Sequence, residues 1–348
     1  MGTDTPTKKQ ERITTLSGLA KNLGLSPTTV SFVLNGQAKE RKISDATVQR
    51  VLEYVREVDY VPNALARGLR QKRTHAVGVV FPHLRGDWAH RIMQGIVDVL
   101  GESRTVPLIV CHHGSGEHEI ELLKSLVERR VDGIICNPIA DGFRRYRQVI
   151  ERGTPMVFLG DSPRNLDEIS YVGWDPGAVE IAVKHLIELG HKRIGYLGIK
   201  DDRKMARMRQ QAFRQTIEEA GLKCRDGDIV LNDAGVEFDH EVDRLISGED
   251  GCTAMFALYD DIAISVLTYL RNKGVRCPED VSLATIGDAP LVSAPGYEIT
   301  TVHAPVEDEG RAAAECLNEL IKQPKRGAIH RIVPGGYLIR GATTTTVS

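Results

Sequence analysis

Residues 15–35 read TLSGLAKNLGLSPTTVSFVLN, and this stretch decides how the first part of the chain folds. Leu16, Leu19, Ala20 and Leu23 fall at i, i+3, i+4 and i+7, one apolar face of a short helix. Gly24 ends that helix in a tight turn. Ser26 then offers an N-cap, and Pro27 takes the first helical position, where a missing N–H costs nothing. Val30, Val33 and Leu34 form the buried stripe of the second helix, and Gly36 stops it. A third helix starts at Ser44, with Val48, Val51, Leu52 and Val55 expected inward. Two short helices joined this way form a helix-turn-helix. The exposed side of the second carries Pro27, Thr28, Thr29, Ser31 and Phe32. In that motif this side faces the DNA major groove, and hydroxyls and helix N-terminal amides suit phosphates. A generic three-helix bundle has no need of so short a hydroxyl-rich face.

The charge distribution agrees with a DNA-facing head. Over 348 residues the chain has 45 Lys+Arg and 47 Asp+Glu, a net charge of −2. Residues 1–75 hold 13 basic and 7 acidic groups, a balance of +6, which leaves −8 for the rest. The average excludes a histone-like polycation, while the split is what a small domain meeting a polyanion requires. With 41% apolar and 26% charged residues, the composition is that of a globular protein. No apolar run approaches the ~18 residues that a membrane helix needs. The opening MGTDTPTKKQER lacks the apolar core of a secretory signal. The six cysteines, Cys111, Cys136, Cys224, Cys252, Cys277 and Cys316, are scattered without metal-ligand spacing. They read as reduced thiols, and the expected location is the cytoplasm.

After the helical head, residues 59–70 read DYVPNALARGLR. Pro62 sets a boundary and Asn63 can cap about two helical turns, a helix too short to stand alone. Beyond about residue 75, short β-branched runs alternate with amphipathic stretches of helical length. Val77–Phe81, Val106–Cys111, Gly133–Asn137 and Pro155–Leu159 form a first series of strands ending at Asp161. Arg193–Gly198, Asp228–Leu231, Thr253–Leu258 and Val281–Ile286 form a second. Such alternation means an α/β body of two doubly wound parallel sheets, with a ligand cleft beyond the carboxyl ends of the strands.

Enzymatic signatures are missing from the sequence: there is no GxxxxGK[ST] loop, GxSxG elbow or HExxH pair. His112, His113, Glu117 and His118 read as a polar loop after a strand, since their spacing matches no common metal site. Neither a catalytic residue, a metal nor a cofactor is expected.

From residue 14 to about residue 342 the chain resembles the lactose/galactose repressor (LacI/GalR) family of transcription regulators. The resemblance rests on the helix-turn-helix just quoted, the DYVPNALARGL hinge and VDGII at 131–135. It continues with HLIELGHKRIGYLG at 185–198, ARMRQQAF at 206–213, CPEDVSLATIGD at 277–288 and ITTVHAP at 299–305. The family implies a bilobed body like that of periplasmic binding proteins. It divides the chain into a helix-turn-helix domain (1–62) and a hinge helix with linker (63–74). One lobe is then built from 75–162 and 303–328, the other from 163–302 and 329–348.

The resemblance also implies roles. Pro27, Thr28, Ser31 and Phe32 match base-reading positions; many relatives carry Arg or His where Phe32 stands. Ser26, Thr29 and Asn35 match phosphate contacts. Asn63 caps the hinge, and Leu69, with Ala66 beside it, matches a leucine that wedges into the minor groove at the operator centre. In the cleft, Trp88, Asp161, Arg209, Tyr259, Asp260 and Asp288 match effector-binding positions. Two positions depart from the family pattern: Tyr259 stands for the usual Asn, and Gly287 for the first Asp of the usual Asp pair. The implied protein is a repressor that binds a palindromic operator as a homodimer and answers to a small effector, a sugar or sugar derivative. The alternatives are a transporter's solute-binding protein, disfavoured by the basic head, and a regulator of the same fold answering to a non-sugar ligand.

Overall fold

In the computed structural model the described residues are 15–60, 73–84, 86–139, 144–160, 169–174, 177–200, 204–233, 235–248, 250–287 and 289–347. The chain divides into two compact units, Met1–Thr74 and His75–Ser348.

The first unit contains helices α1 (Leu16–Leu23), α2 (Pro27–Leu34) and α3 (Asp45–Glu57). Each begins on a hydroxyl cap that accepts an otherwise orphaned backbone N–H: Thr15 from Gly18, Ser26 from Thr29 and Ser44 from Thr47. At the other end of α1, Gly24 adopts φ +64° and the Arg50 guanidinium of α3 donates to the Leu23 carbonyl. Leu19, Ala20, Leu23, Val30, Val33, Val51 and Tyr60 form the buried core. At about 1.5–3 kcal/mol for each fully buried large aliphatic side chain, these few residues hold the unit together. Leu52, expected inward, is instead 37% exposed. The α3 stripe runs Val48, Val51, Val55, and Leu52 sits at its edge, beyond the reach of two such short partner helices.

The second unit starts with β1 (Ala76–Phe81), α4 (Gly86–Glu102), β2 (Val106–Cys111), α5 (Gly116–Glu128), β3 (Gly133–Cys136), α6 (Arg144–Glu151), β4 (Met156–Leu159) and β5 (Ser170–Trp174). It continues with α7 (Ala178–Glu188), β6 (Ile194–Ile199), α8 (Lys204–Glu219), β7 (Ile229–Asn232), α9 (Asp239–Ile246), β8 (Ala254–Ala257), α10 (Asp260–Lys273), β9 (Ser282–Ile286) and β10 (Thr300–Val302). Last come α11 (Val306–Lys322), β11 (His330–Val333) and β12 (Leu338–Ile339). One sheet runs β11-β5-β4-β3-β1-β2, all parallel; the other runs β12-β10-β9-β8-β6-β7, parallel except for β12.

The sheet order corrects the expected lobe boundaries. Ser170–Trp174 and His330–Val333, assigned by the sequence reading to the second lobe, pair with each other and with β4 in the first sheet. The chain therefore crosses between lobes after β5 and after β11 rather than at 162 and 328, while the crossing after β10 falls at the expected 302. Both strands are short, and their membership is decided by long-range pairing that local periodicity does not carry.

Helix α11 returns from the second lobe to lie on α4. A Cβ on Gly95 would fall 2.0 Å from the Glu307 carbonyl oxygen, and one on Gly310 would fall 2.2 Å from that of Ile92. The two helix backbones thus touch, which presses the first turn of α11 into the lobe beside the strand ends.

Candidate functional site

In the head, the α2 face is held ready by local hydrogen bonds. Ser26 Oγ accepts the Thr29 amide at 3.0 Å and shares a proton with Thr29 Oγ1 at 2.8 Å. Asn35 Nδ2 donates to Ser31 Oγ at 3.3 Å. Pro27 and Thr28 are exposed at the helix start, and Ser31 and Phe32 are half-buried beyond them. The expected residues Ser26, Pro27, Thr28, Thr29, Ser31, Phe32 and Asn35 therefore lie on or next to one eight-residue helix. Sequence reasoning missed Arg41. Its guanidinium carbon lies 4.7 Å from the centre of the Phe32 ring. A cation from the following loop thus covers the position where many relatives carry a basic side chain. Lys39 and Lys42 flank it in the sequence, which was the available signal. Asn63, Ala66 and Leu69 lie outside the described residues.

In the body, a cavity of about 460 Å³ opens between the lobes, at the carboxyl ends of β1, β3, β5, β6 and β9. That is where a doubly wound sheet binds ligands, and the volume suits a small molecule. Trp88, Arg209, Tyr259 and Asp260 all line it. Asp161 and Asp288 lie outside the described residues. Trp88 sets its ring edge-to-face on Phe81, with centroids 5.5 Å apart.

Arg209, on α8, is only 8% exposed. Its guanidinium carbon lies 4.5 Å from the centre of the Trp174 ring, and Nη1 donates to Tyr259 Oη at 3.3 Å. Tyr259, standing for the usual Asn, thus holds the arginine instead of offering a carboxamide. Trp174 was missed along with β5; its place just before Asp175-Pro176-Gly177 in the sequence gave little reason to single it out. Arg209 Nε is buried without a hydrogen-bond partner among the described residues.

Gly287 has a structural reason. Its φ is +111°, and a Cβ there would lie 2.9 Å from an Asp260 carboxylate oxygen. The space that a second acid would need is filled by Asp260, whose carboxyl also accepts the Asp261 amide at 2.9 Å. Burial and the neighbouring Asp261 carboxylate push Asp260 above the usual carboxylate range.

Glu309, in the first turn of α11, is fully buried and lines the same cavity. Neither carboxyl oxygen has a hydrogen-bond partner among the described residues. Burial pushes its carboxyl up to about 8, against the opposing charge of Arg209. The sequence carried a signal: Val306, Glu309, Gly310, Ala313 and Leu317 share one helical face, so the pattern buries an acid.

The His112 loop behaves as expected of a polar strand end. His112 is buried, with Nε2 3.3 Å from the Asn137 carbonyl and Nδ1 accepting the Gly114 amide at 3.1 Å. Among the described residues no His, Cys, Asp and Glu side chains group as metal ligands, and all six cysteines are free thiols.

Residues 15–63 match the family of bacterial regulatory proteins described as lacI family, and residues 183–344 match the periplasmic binding protein-like domain. The ribose operon repressor of Escherichia coli (strain K12) is 30% identical over 324 residues, spanning 89% of this chain and 94% of that protein. The HTH-type transcriptional repressor PurR of Aliivibrio fischeri (strain MJ11) is 30% identical over 323 residues, 88% of this chain and 92% of that one. Among solved structures, the lac repressor dimer bound to operator and the anti-inducer ONPF superposes with a TM-score of 0.82, over 95% of this chain and 99% of that one at 21% identity. With such identity sustained along both chains, this protein belongs to the LacI family of bacterial regulatory proteins.

Proposed function

We propose that the protein is a cytoplasmic transcription repressor that binds a pseudo-palindromic operator as a homodimer and is switched by a sugar or sugar derivative held between the lobes. One observation carries the reading: a single chain joins a helix-turn-helix with an exposed, hydroxyl-rich second helix to a bilobed body whose interlobe cavity is built around a clamped arginine. In the head, Pro27, Thr28, Ser31 and Phe32 meet base edges while Ser26, Thr29 and Asn35 meet phosphates. In the hinge, Leu69 wedges into the central minor-groove step with Ala66 beside it, trading base unstacking for added contact. In the cleft, a planar guanidinium held between aromatic rings suits vicinal hydroxyls, and Trp88 suits the apolar face of a sugar ring. Asp260, Asp161 and Asp288 add acceptors for hydroxyl protons. The ligand is bound and released unchanged; its work is to shift the lobes, and through linkage the operator affinity. The names of the ribose repressor and of the operator-bound lac repressor dimer support the same partners for this chain.

Footprinting the promoter beside the protein's own gene tests the DNA half; the expected result is a protected palindrome at moderate salt, and none overturns it. Arg209→Ala tests the other half. Operator affinity should stay within about twofold of the parent while the response to effector is lost, and an unchanged response removes Arg209 from the site.

A further inference from the structure

Two residues that line the interlobe cavity bury polar atoms without a hydrogen-bond partner among the described residues: Arg209, at Nε, and Glu309, at both carboxyl oxygens. Buried charges are ordinarily paired or hydrogen-bonded, because an unmade bond there is costly and more so for an ionised group. No donor among the described residues reaches Glu309 in hydrogen-bond geometry, although the nearby Gly160 amide and the Arg209 charge favour its ionised form. The adjacent Gly160 amide is aimed at the Val172 carbonyl at 2.9 Å, and one Asn137 Nδ2 proton at the Leu159 carbonyl at 2.8 Å. Arg209 instead directs its guanidinium to Tyr259 Oη and the Trp174 face. Glu309 itself stays in place, since the Gly95 and Gly310 contacts fix its helix against α4.

The rest of the lining points to the missing partner. Five carboxyls, those of Asp87, Glu237, Asp260, Asp261 and Glu309, meet two guanidiniums, those of Arg91 and Arg209, among the described lining residues. Arg91 lies 3.8 Å from Asp87, so its charge is already matched. Ionised together, these acids would outnumber the guanidiniums, and the buried Glu309 carboxyl has no hydrogen-bond partner among the described residues.

We propose that Glu309 is the specificity-determining contact for an effector bearing a protonated amine on a polyhydroxylated scaffold, an amino sugar, whose ammonium donates to both carboxyl oxygens. This rests on the reading of the cleft as the effector site and narrows its ligand class. An ammonium brings up to three N–H donors and the charge that lets a buried carboxylate ionise. A neutral sugar places a hydroxyl there and leaves the charge deficit; a sugar acid adds a carboxylate to it.

The test is equilibrium dialysis of the full-length protein against matched probes. Glucosamine, galactosamine and mannosamine are compared with glucose, galactose and mannose, and with glucuronate and galacturonate. The parent should retain at least one amino sugar at least tenfold more tightly than its neutral counterpart. Glu309→Gln keeps the shape and removes the charge; it should lose about 10- to 100-fold in amino-sugar affinity and change little for neutral sugars. A parallel melting curve shows that the variant is folded. Retention of only neutral sugars or acids overturns the proposal and leaves the cleft reading standing. Equal amino-sugar affinity in Glu309→Gln overturns it as well. Retention of no probe by the parent overturns both.

Discussion

The head and the cleft treat their polar groups in opposite ways. Around α2, hydroxyls and amides are tied into local bonds, Ser26 with Thr29 and Asn35 with Ser31, and the described buried side chains beneath them are apolar apart from the phenol of Tyr60. Around the cavity, Glu309 and Arg209 are buried with bonds left unmade. The first arrangement presents a finished surface to a partner that arrives from outside. The second leaves an unfavourable energy that a bound ligand's donors can relieve. A head built to be rigid and a cleft built to be incomplete are what a DNA reader under small-molecule control requires.

The strongest way to break that contrast is to destroy the rigidity of the head. Leu19 is fully buried at the centre of a seven-residue core. Leu19→Ala should cost about 2–5 kcal/mol, most of what so small a unit has to lose. Operator binding should vanish at growth temperature while the melting of the body is unchanged. Calorimetry of the full chain resolves the two; a head that still melts cooperatively at its original temperature would show that its core is larger than these residues.

The incompleteness of the cleft has its own signature in pH. Glu309 titrates near 8 in the fold against an ordinary value of 4.5. The folded state therefore holds the extra proton between those values, and stability falls as pH rises through that window. Arg209 from α8 opposes the shift; Asp87 and Arg91 of α4 and Asp260 and Asp261 of α10 line the same cavity. In the absence of ligand, Glu309→Gln should match the parent at pH 5 and melt several degrees higher at pH 8.5, at about 2–4 °C for each kcal/mol relieved. Equal melting temperatures at both pH values would mean that the parent carboxyl has found a partner.

How much of this could be read in advance depends on how local each feature is. Thr15, Ser26, Pro27, Gly24 and the Leu16–Leu23 stripe act within a few residues of one another, so the head is legible in the sequence almost residue by residue. The alternation of strands and helices likewise announces two wound sheets. Ser170–Trp174 and His330–Val333 are different, because four or five residues join whichever sheet edge the rest of the chain presents to them. Arg209 and Asp260 were found through resemblance. Tyr259 was found too, yet its role as the support of Arg209 follows only from placing α8 against the start of α10. The helical period of α11 buries Glu309, but only the packed lobe reveals that no described donor meets it in hydrogen-bond geometry.

Arg41 offers the finest test of the comparison, since it adds a charge beside a helix face otherwise displayed by α2 alone. Phe32 alone would give its base pair an apolar contact; with a guanidinium 4.7 Å from its ring centre, the same position also offers fixed donors and a charge. Arg41→Ala should leave the fold of the head intact, because Arg41 is exposed and outside the core. It should weaken operator binding by about 1–3 kcal/mol if the guanidinium reads a base edge, with the loss concentrated at one base pair of each half-site. A phosphate contact instead predicts a uniform loss and a salt dependence shallower by about one charge per subunit. Binding measured by anisotropy across a salt series, on operators varied one base pair at a time, separates these outcomes. No change in either would return the position to Phe32 alone, and the head would then read its operator with only the α2 side chains that its sequence already displays.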